Sequence, residues 1–295
     1  MKSAAAIAAI PMLLLAVCAG VHAQERLRVF VSILPQKTFV ERIGGERVDV
    51  SVLVQPGQSP ATYEPTARQM ARLNEAALYL RIGVPFENSF LPKLQRAVPG
   101  LRIVDTRNGV RLRTMADHGH GDHDHGENSG EGNDPHIWLS PRLAMVQATT
   151  IYTALTRSSP EDEPTFRAGL KGFLADLADL HADLLVLTEP VRGKGFMVFH
   201  PSWGYFADEY GLRQHAVEVD GKAPAPRQLT ALIREAREQG TTALFVQPQF
   251  DRRTAERIAE AINGSVQSLD PLAEDYIQNL RTSAQRIREA LRGEE

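Results

Sequence analysis

Apolar residues recur at two spacings along this chain, and the spacing changes from segment to segment. Residues 27–33 are rich in β-branched and aromatic side chains and predict a strand. Residues 48–54 alternate with period two and predict a second. Between them Pro35 opens a short helix that Gly44 and Gly45 close. Pro65 suits the first position of a helix carrying Met70, Leu73 and Ala77, and residues 78–82 and 101–104 supply two more strands. Ser140 reads as an N-cap with Pro141 in the first turn behind it. From 161 to 187, Phe166, Leu170, Phe173, Leu174, Leu177, Leu180, Leu184 and Leu185 recur at threes and fours. That predicts one helix roughly 40 Å long, enough to join two lobes. The second half then repeats the alternation: strand 196–199, helix 226–239, strand 243–246, helix 252–262, strand 266–269 and helix 274–291. Strands separated by helices need crossover connections, so the fold class is α/β with parallel sheets.

Two segments stand outside this rhythm. Residues 1–23 carry one charge, Lys2, then an apolar stretch ending in Val21-His22-Ala23, which reads as a cleaved export signal. The stretch is shorter than the roughly 20 residues of a membrane span. Residues 114–133 are rich in Gly, His, Asp and Glu, with nothing large and apolar after Met115. Such a segment cannot offset its ordering entropy by burial and reads as a mobile loop. The chain thus divides into a signal peptide (1–23), an N-terminal α/β lobe (24–158), a connecting helix (159–188) and a C-terminal α/β lobe (189–295).

Composition narrows the function. Cys18 is the only cysteine and lies inside the export signal, so cleavage after Ala23 leaves no disulfide, thiolate metal site or cysteine nucleophile. Lipid anchoring at Cys18 is the minority reading, because Val17 is bulkier than the small residue usual before a lipidated cysteine. Losing Lys2 leaves 32 basic against 36 acidic side chains, a net charge of −4 that points to neither nucleic acid nor an anionic membrane.

The chemistry sits where predicted strands end. His136 lies in Asp134-Pro135-His136-Ile137-Trp138, His200 closes Val198-Phe199-His200, and Asp270 follows Ser268-Leu269. Ligands of open α/β sheets bind outside the carboxyl ends of strands, and imidazole with carboxylate suits zinc. Each residue also has a structural reading: His136 at the start of a helix, His200 as a cap, Asp270 as the N-cap before Pro271. His181 and His215 read as structural or solvated. His118, His120, His123 and His125, with Asp122 and Asp124, form an accessory cluster fit for loose metal collection.

Across nearly the whole mature chain these features resemble the zinc and manganese solute-binding proteins of ABC importers. The motifs that carry the resemblance are Asp134-Pro135-His136-Ile137-Trp138-Leu139-Ser140-Pro141, His200-Pro201-Ser202-Trp203-Gly204-Tyr205-Phe206, Asp270-Pro271-Leu272 and the histidine loop. The resemblance implies two α/β lobes joined by one long helix, a metal held between them by three histidines and a carboxylate or water, and delivery to an ABC permease. His136 and His200 match the second and third histidines, and Asp270 the carboxylate. The first histidine is missing: Ser59-Pro60-Ala61-Thr62-Tyr63-Glu64-Pro65 has Ala61 in its place. Water, a loop histidine or Glu64, in that order, would fill the position, with weaker or pH-sensitive binding as the consequence. The expectation is an exported, periplasmic, monomeric zinc-binding protein without catalytic residues. Manganese or iron as the cargo, or a zinc hydrolase using the open position, are the alternatives. No hydrolase signature accompanies the ligands.

Overall fold

The computed structural model describes residues 25–115, 132–218, 224–238, 241, 243–250 and 252–292. The expected export signal and His118, His120, His123 and His125 lie outside these residues. Two four-stranded parallel sheets organise the chain. In the first, β1 (Leu27–Val31), β2 (Val48–Val52), β3 (Leu78–Arg81) and β4 (Arg102–Asp105) take the order β2-β1-β3-β4. In the second, β5 (Gly195–Val198), β6 (Arg213–Ala216), β7 (Ala243–Val246) and β8 (Ser265–Ser268) repeat it as β6-β5-β7-β8. The chain is an α/β protein of two lobes, and in each the strand order reverses beside the first strand, the point where such sheets bind ligands.

Nine α-helices accompany the strands among the described residues: α1 (Leu34–Gly44), α2 (Ala67–Leu73), α3 (Pro85–Ala97), α4 (Pro141–Ser158), α5 (Glu163–Thr188), α6 (Gly204–Glu209), α7 (Pro226–Glu238), α8 (Arg252–Ala261) and α9 (Tyr276–Arg292). None is long and apolar enough to cross a membrane. The 26-residue α5 buries Phe166, Phe173, Leu177, Leu180 and Leu184 as one stripe and packs on α1, α4 and α9, so it touches both lobes. Leu185, expected on that stripe, is 42% exposed instead. Gly169 marks the tightest crossing, since a Cβ there would lie 2.3 Å from the Ile43 carbonyl oxygen of α1.

Several boundaries differ from the sequence reading for local reasons. Pro65 does not open α2. Thr66 caps it, accepting from the Gln69 amide while Gln69 Oε1 accepts the Thr66 N–H, and a reciprocal capping box outweighs a favourable proline. Ala77 lies beyond that helix and donates its N–H to Arg28 O. The first strand ends at Val31, because Ile33 O already accepts from Gln36 and Lys37 in the first turn of α1. The sequence reading passed over α3, whose buried Phe86, Phe90 and Leu94 recur at fours.

Packing explains why β5 and β7 read as continuous apolar runs rather than alternating ones. Phe196, Val198, Ala243 and Phe245 point into a large core that also holds Val29, Phe39, Trp138, Phe173 and Leu280, continuous across both lobes. Their neighbours Met197, Phe199, Leu244 and Val246 face a second cluster with Ala236, Ala255 and Ile258 of α7 and α8.

Candidate metal-binding site

Hydrogen bonding between strands continues past their carboxyl ends and gathers the site. Val217 N–H donates to Val198 O and Glu218 N–H to Phe199 O, which sets Glu218 beside His200. Phe199 N–H donates to Phe245 O and Leu269 N–H to Val246 O, bringing the ends of β7 and β8 to the same edge. The His136 segment arrives from the other lobe. Just ahead of it, residues 113–115 and 132–134 are zipped together by Met115 N–H to Gly132 O and Asp134 N–H to Arg113 O. Tyr205 of α6 accepts the Arg113 N–H at 2.9 Å and donates to Asp134 O at 3.0 Å. Trp138 donates its indole N–H to Pro271 O at 2.7 Å, and Tyr276 Oη donates to Trp138 O at 2.6 Å.

These contacts place His136 and His200 on the wall of one cavity of about 60 Å³ between the lobes. The space exceeds the ~10–15 Å³ that a single water needs. Ser59, Pro60, Ala61, Trp138, Gln247 and Phe250 line it too. The imidazole ring centroids are 5.3 Å apart. A zinc ion about 2.0–2.1 Å from one nitrogen of each ring, at a tetrahedral angle, puts the centroids about 5 Å apart, so the pair fits such an ion.

Each imidazole is tied through Nδ1 to a carboxylate. His136 Nδ1 is 2.7 Å from Asp134 Oδ1, which also accepts the His136 backbone N–H at 3.0 Å. His200 Nδ1 hydrogen-bonds Glu218 Oε2. With Nδ1 engaged, the nitrogen left to bind a metal is Nε2, and the two carboxylates balance the charge of a divalent ion. Burial holds the His136 pKa below its ordinary value, against the opposing pull of Asp134. The neutral ring that burial favours is the form that ligates. The helix-start reading of His136 is also met, since it precedes a 3₁₀ turn at Ile137–Leu139, but that role uses only the backbone and Nδ1.

Asp270 is placed differently. Its Oδ1 accepts the Leu272 N–H at 2.9 Å and Gln249 Nε2 at 3.3 Å, closing the turn around Pro271. It lines an adjoining cavity of about 360 Å³ with Gln249 and Leu272, not the one holding the histidines. Among the described residues, no three His, Cys, Asp or Glu side chains come together in a metal-holding group. Glu64 is exposed, while Ala61 sits on the cavity wall without a donor. His181 hydrogen-bonds Tyr210 at 3.1 Å, and His215 lies in β6, 3.6 Å from Glu235. Both stand apart from the cavity, as does the fully buried Trp203.

The sequence reading missed Glu218 as a functional residue. An acidic residue just after the strand-like segment ending at Ala216 was the available signal, and it gains meaning only through the register Val198↔Ala216.

Comparison with known proteins identifies the family. Residues 29–290 match the family described as ZnuA, zinc-uptake complex component A, periplasmic. Zinc-binding protein AdcA of Streptococcus pyogenes is 22% identical over 292 residues, covering 91% of this chain and 56% of that protein. Zinc-binding lipoprotein AdcA of Streptococcus pneumoniae is 24% identical over 245 residues, covering 82% and 48%. The chain therefore spans about half the length of these curated relatives. A crystal structure of ZnuA is 40% identical with a TM-score of 0.83, covering 90% of this chain and all of that one. A deletion mutant of ZnuA with zinc bound is 39% identical with a TM-score of 0.84, covering 92% and 100%. The chain belongs to the zinc-uptake complex component A family.

Proposed function

We propose that this protein is an exported solute-binding protein that captures zinc between its lobes and delivers it to an ABC permease. The observation that carries this reading is the pairing of His136 and His200, each backed by a carboxylate, in one small interlobe cavity. His136 and His200 would ligate through Nε2. Asp270 is the proposed carboxylate ligand, drawn out of its turn when the ion binds. Water is the proposed occupant of the position beside Ala61, ahead of Glu64 or a loop histidine. His118, His120, His123 and His125 are proposed as a low-affinity collecting cluster. The functional division is residues 24–158 and 189–295 as lobes with 159–188 between them, working as a periplasmic monomer after removal of 1–23. Function resides in affinity and release rather than turnover. Two imidazoles favour zinc over manganese, whose sites lean on carboxylate oxygen.

The test is a competitive zinc titration of the mature protein, with metal content confirmed by elemental analysis, alongside His136→Ala. One tight equivalent is expected, lost in the variant. Weak, multiple equivalents that survive the substitution would assign binding to the histidine loop and remove the interlobe reading.

A further inference from the structure

Gln247 follows β7 on the cavity wall and is only 3% exposed. Its amide nitrogen is fully used: Nε2 donates to His200 O and to Ser202 Oγ, each at 3.0 Å. A backbone carbonyl only accepts, so the nitrogen must face it and the amide cannot be turned over. The other polar atom, Oε1, is buried with no hydrogen-bond partner. An orphaned buried acceptor is costly, and native structures hold few of them. No protein group donates to Oε1 and Gln247 lines the cavity, so a donor brought in with the cargo would satisfy it. An amide oxygen is a poor zinc ligand beside imidazole but a good acceptor for a polarised water. Ala61, on the same wall, leaves room for that water.

We infer that Gln247 is a positioning residue for the cargo: its Oε1 accepts a hydrogen bond from a water on the bound metal, the water that stands where Ala61 supplies no side-chain donor. The inference rests on the proposed zinc site. It gives one side chain two tasks, holding the backbone of His200 through Nε2 and the open coordination position through Oε1.

A double-mutant cycle in competitive zinc titrations separates these tasks. Gln247→Met should weaken zinc by about tenfold, the size of one hydrogen bond to a charge-bearing group. Ala61→His should tighten zinc by displacing the water. In the Ala61→His background the cost of Gln247→Met should shrink, because the water is gone and only the support of His200 through Nε2 is still lost. Visible absorption of the cobalt(II)-loaded protein gives an independent readout. Gln247→Met should alter the cobalt bands, and Ser202→Ala, which loosens only the amide nitrogen, should leave them unchanged.

A Gln247→Met cost that persists undiminished beside Ala61→His, or zinc affinity indifferent to Gln247→Met, would overturn the inference. So would a Ser202→Ala variant that reproduces the full loss, which also decides the matter should Gln247→Met not fold. Retention of the tight equivalent in His136→Ala would instead fail the zinc-site reading beneath it.

Discussion

At the scale of residues, the site is built from side chains that each do two jobs. His136 and His200 each give Nδ1 to a carboxylate and, in the proposed site, give Nε2 to the metal. The carboxylate fixes the tautomer and ring orientation and raises the basicity of the ligating nitrogen. Glu218 is therefore expected to matter although it faces the imidazole and not the ion. Glu218→Gln keeps an acceptor for His200 Nδ1 and loses the charge. Zinc affinity should fall by about tenfold to a hundredfold, measured by competitive titration, with the melting curve of the metal-free protein little changed. Asp270 shows the opposite economy. Its Oδ1 is committed to the Leu272 N–H, a local bond that competes with ligation.

At the scale of elements, α5 decides how the lobes are held. Its buried stripe faces α1 and α4 on one side and α9 on the other. Phe39 of α1 meets Phe173 of α5 at 5.2 Å between ring centroids and Tyr276 of α9 at 4.8 Å. Gly169 permits this approach, because any Cβ there would run into the carbonyl oxygens of Arg42 and Ile43. Those atoms are backbone and cannot swing aside. Gly169→Ala should destabilise the protein by about 1–3 kcal/mol despite alanine's better helix propensity, since overpacking outweighs it. Chemical denaturation measures this, and a gain in stability would show that the helices separate at little cost.

At the scale of the whole molecule, one apolar core running through both lobes opposes a wide hinge. Direct bonds across the lobes, Trp138 to Pro271 O and Thr38 Oγ1 to Glu274 O at 2.6 Å, act the same way. Release of a cargo is therefore expected to involve local rearrangement around the cavity rather than separation of the lobes. The N-terminal lobe also buries a charged network. Glu87 accepts from Ser32 Oγ at 2.5 Å, from the Ile82 and Gly83 amides at 2.9 and 2.7 Å, and from Arg81 Nε at 3.2 Å. Burial raises its pKa above the ordinary 4.5, outweighing those bonds. The folded state then holds this proton more tightly than the unfolded state. The stability it confers is complete below pH 4.5 and is lost as pH rises through the folded value. The difference in unfolding free energy between wild type and Glu87→Gln should shrink as pH is raised from 4.5 and then level off. A difference growing over that range would reverse the sign and place the folded pKa below the ordinary value.

Much of this protein is written in local patterns. The parallel α/β class, the long helix and the strand end bearing His200 were legible because periodicity and capping are properties of neighbours in sequence, whereas His136 opens a 3₁₀ turn and closes no strand. The family resemblance also carried over correctly, since its motifs are short and contiguous. Other features depend on chain segments far apart in sequence. Glu218 reaches His200 through the pairing of β5 with β6, and Gln247 through that of β5 with β7. The capping box at Thr66 beat Pro65 because a reciprocal hydrogen-bond pair outweighs a fixed φ. Identity and spacing are enough to name the groups that bind a metal. Their partners, burial and free atoms arise only when sheet register and interlobe packing bring distant residues within hydrogen-bond reach.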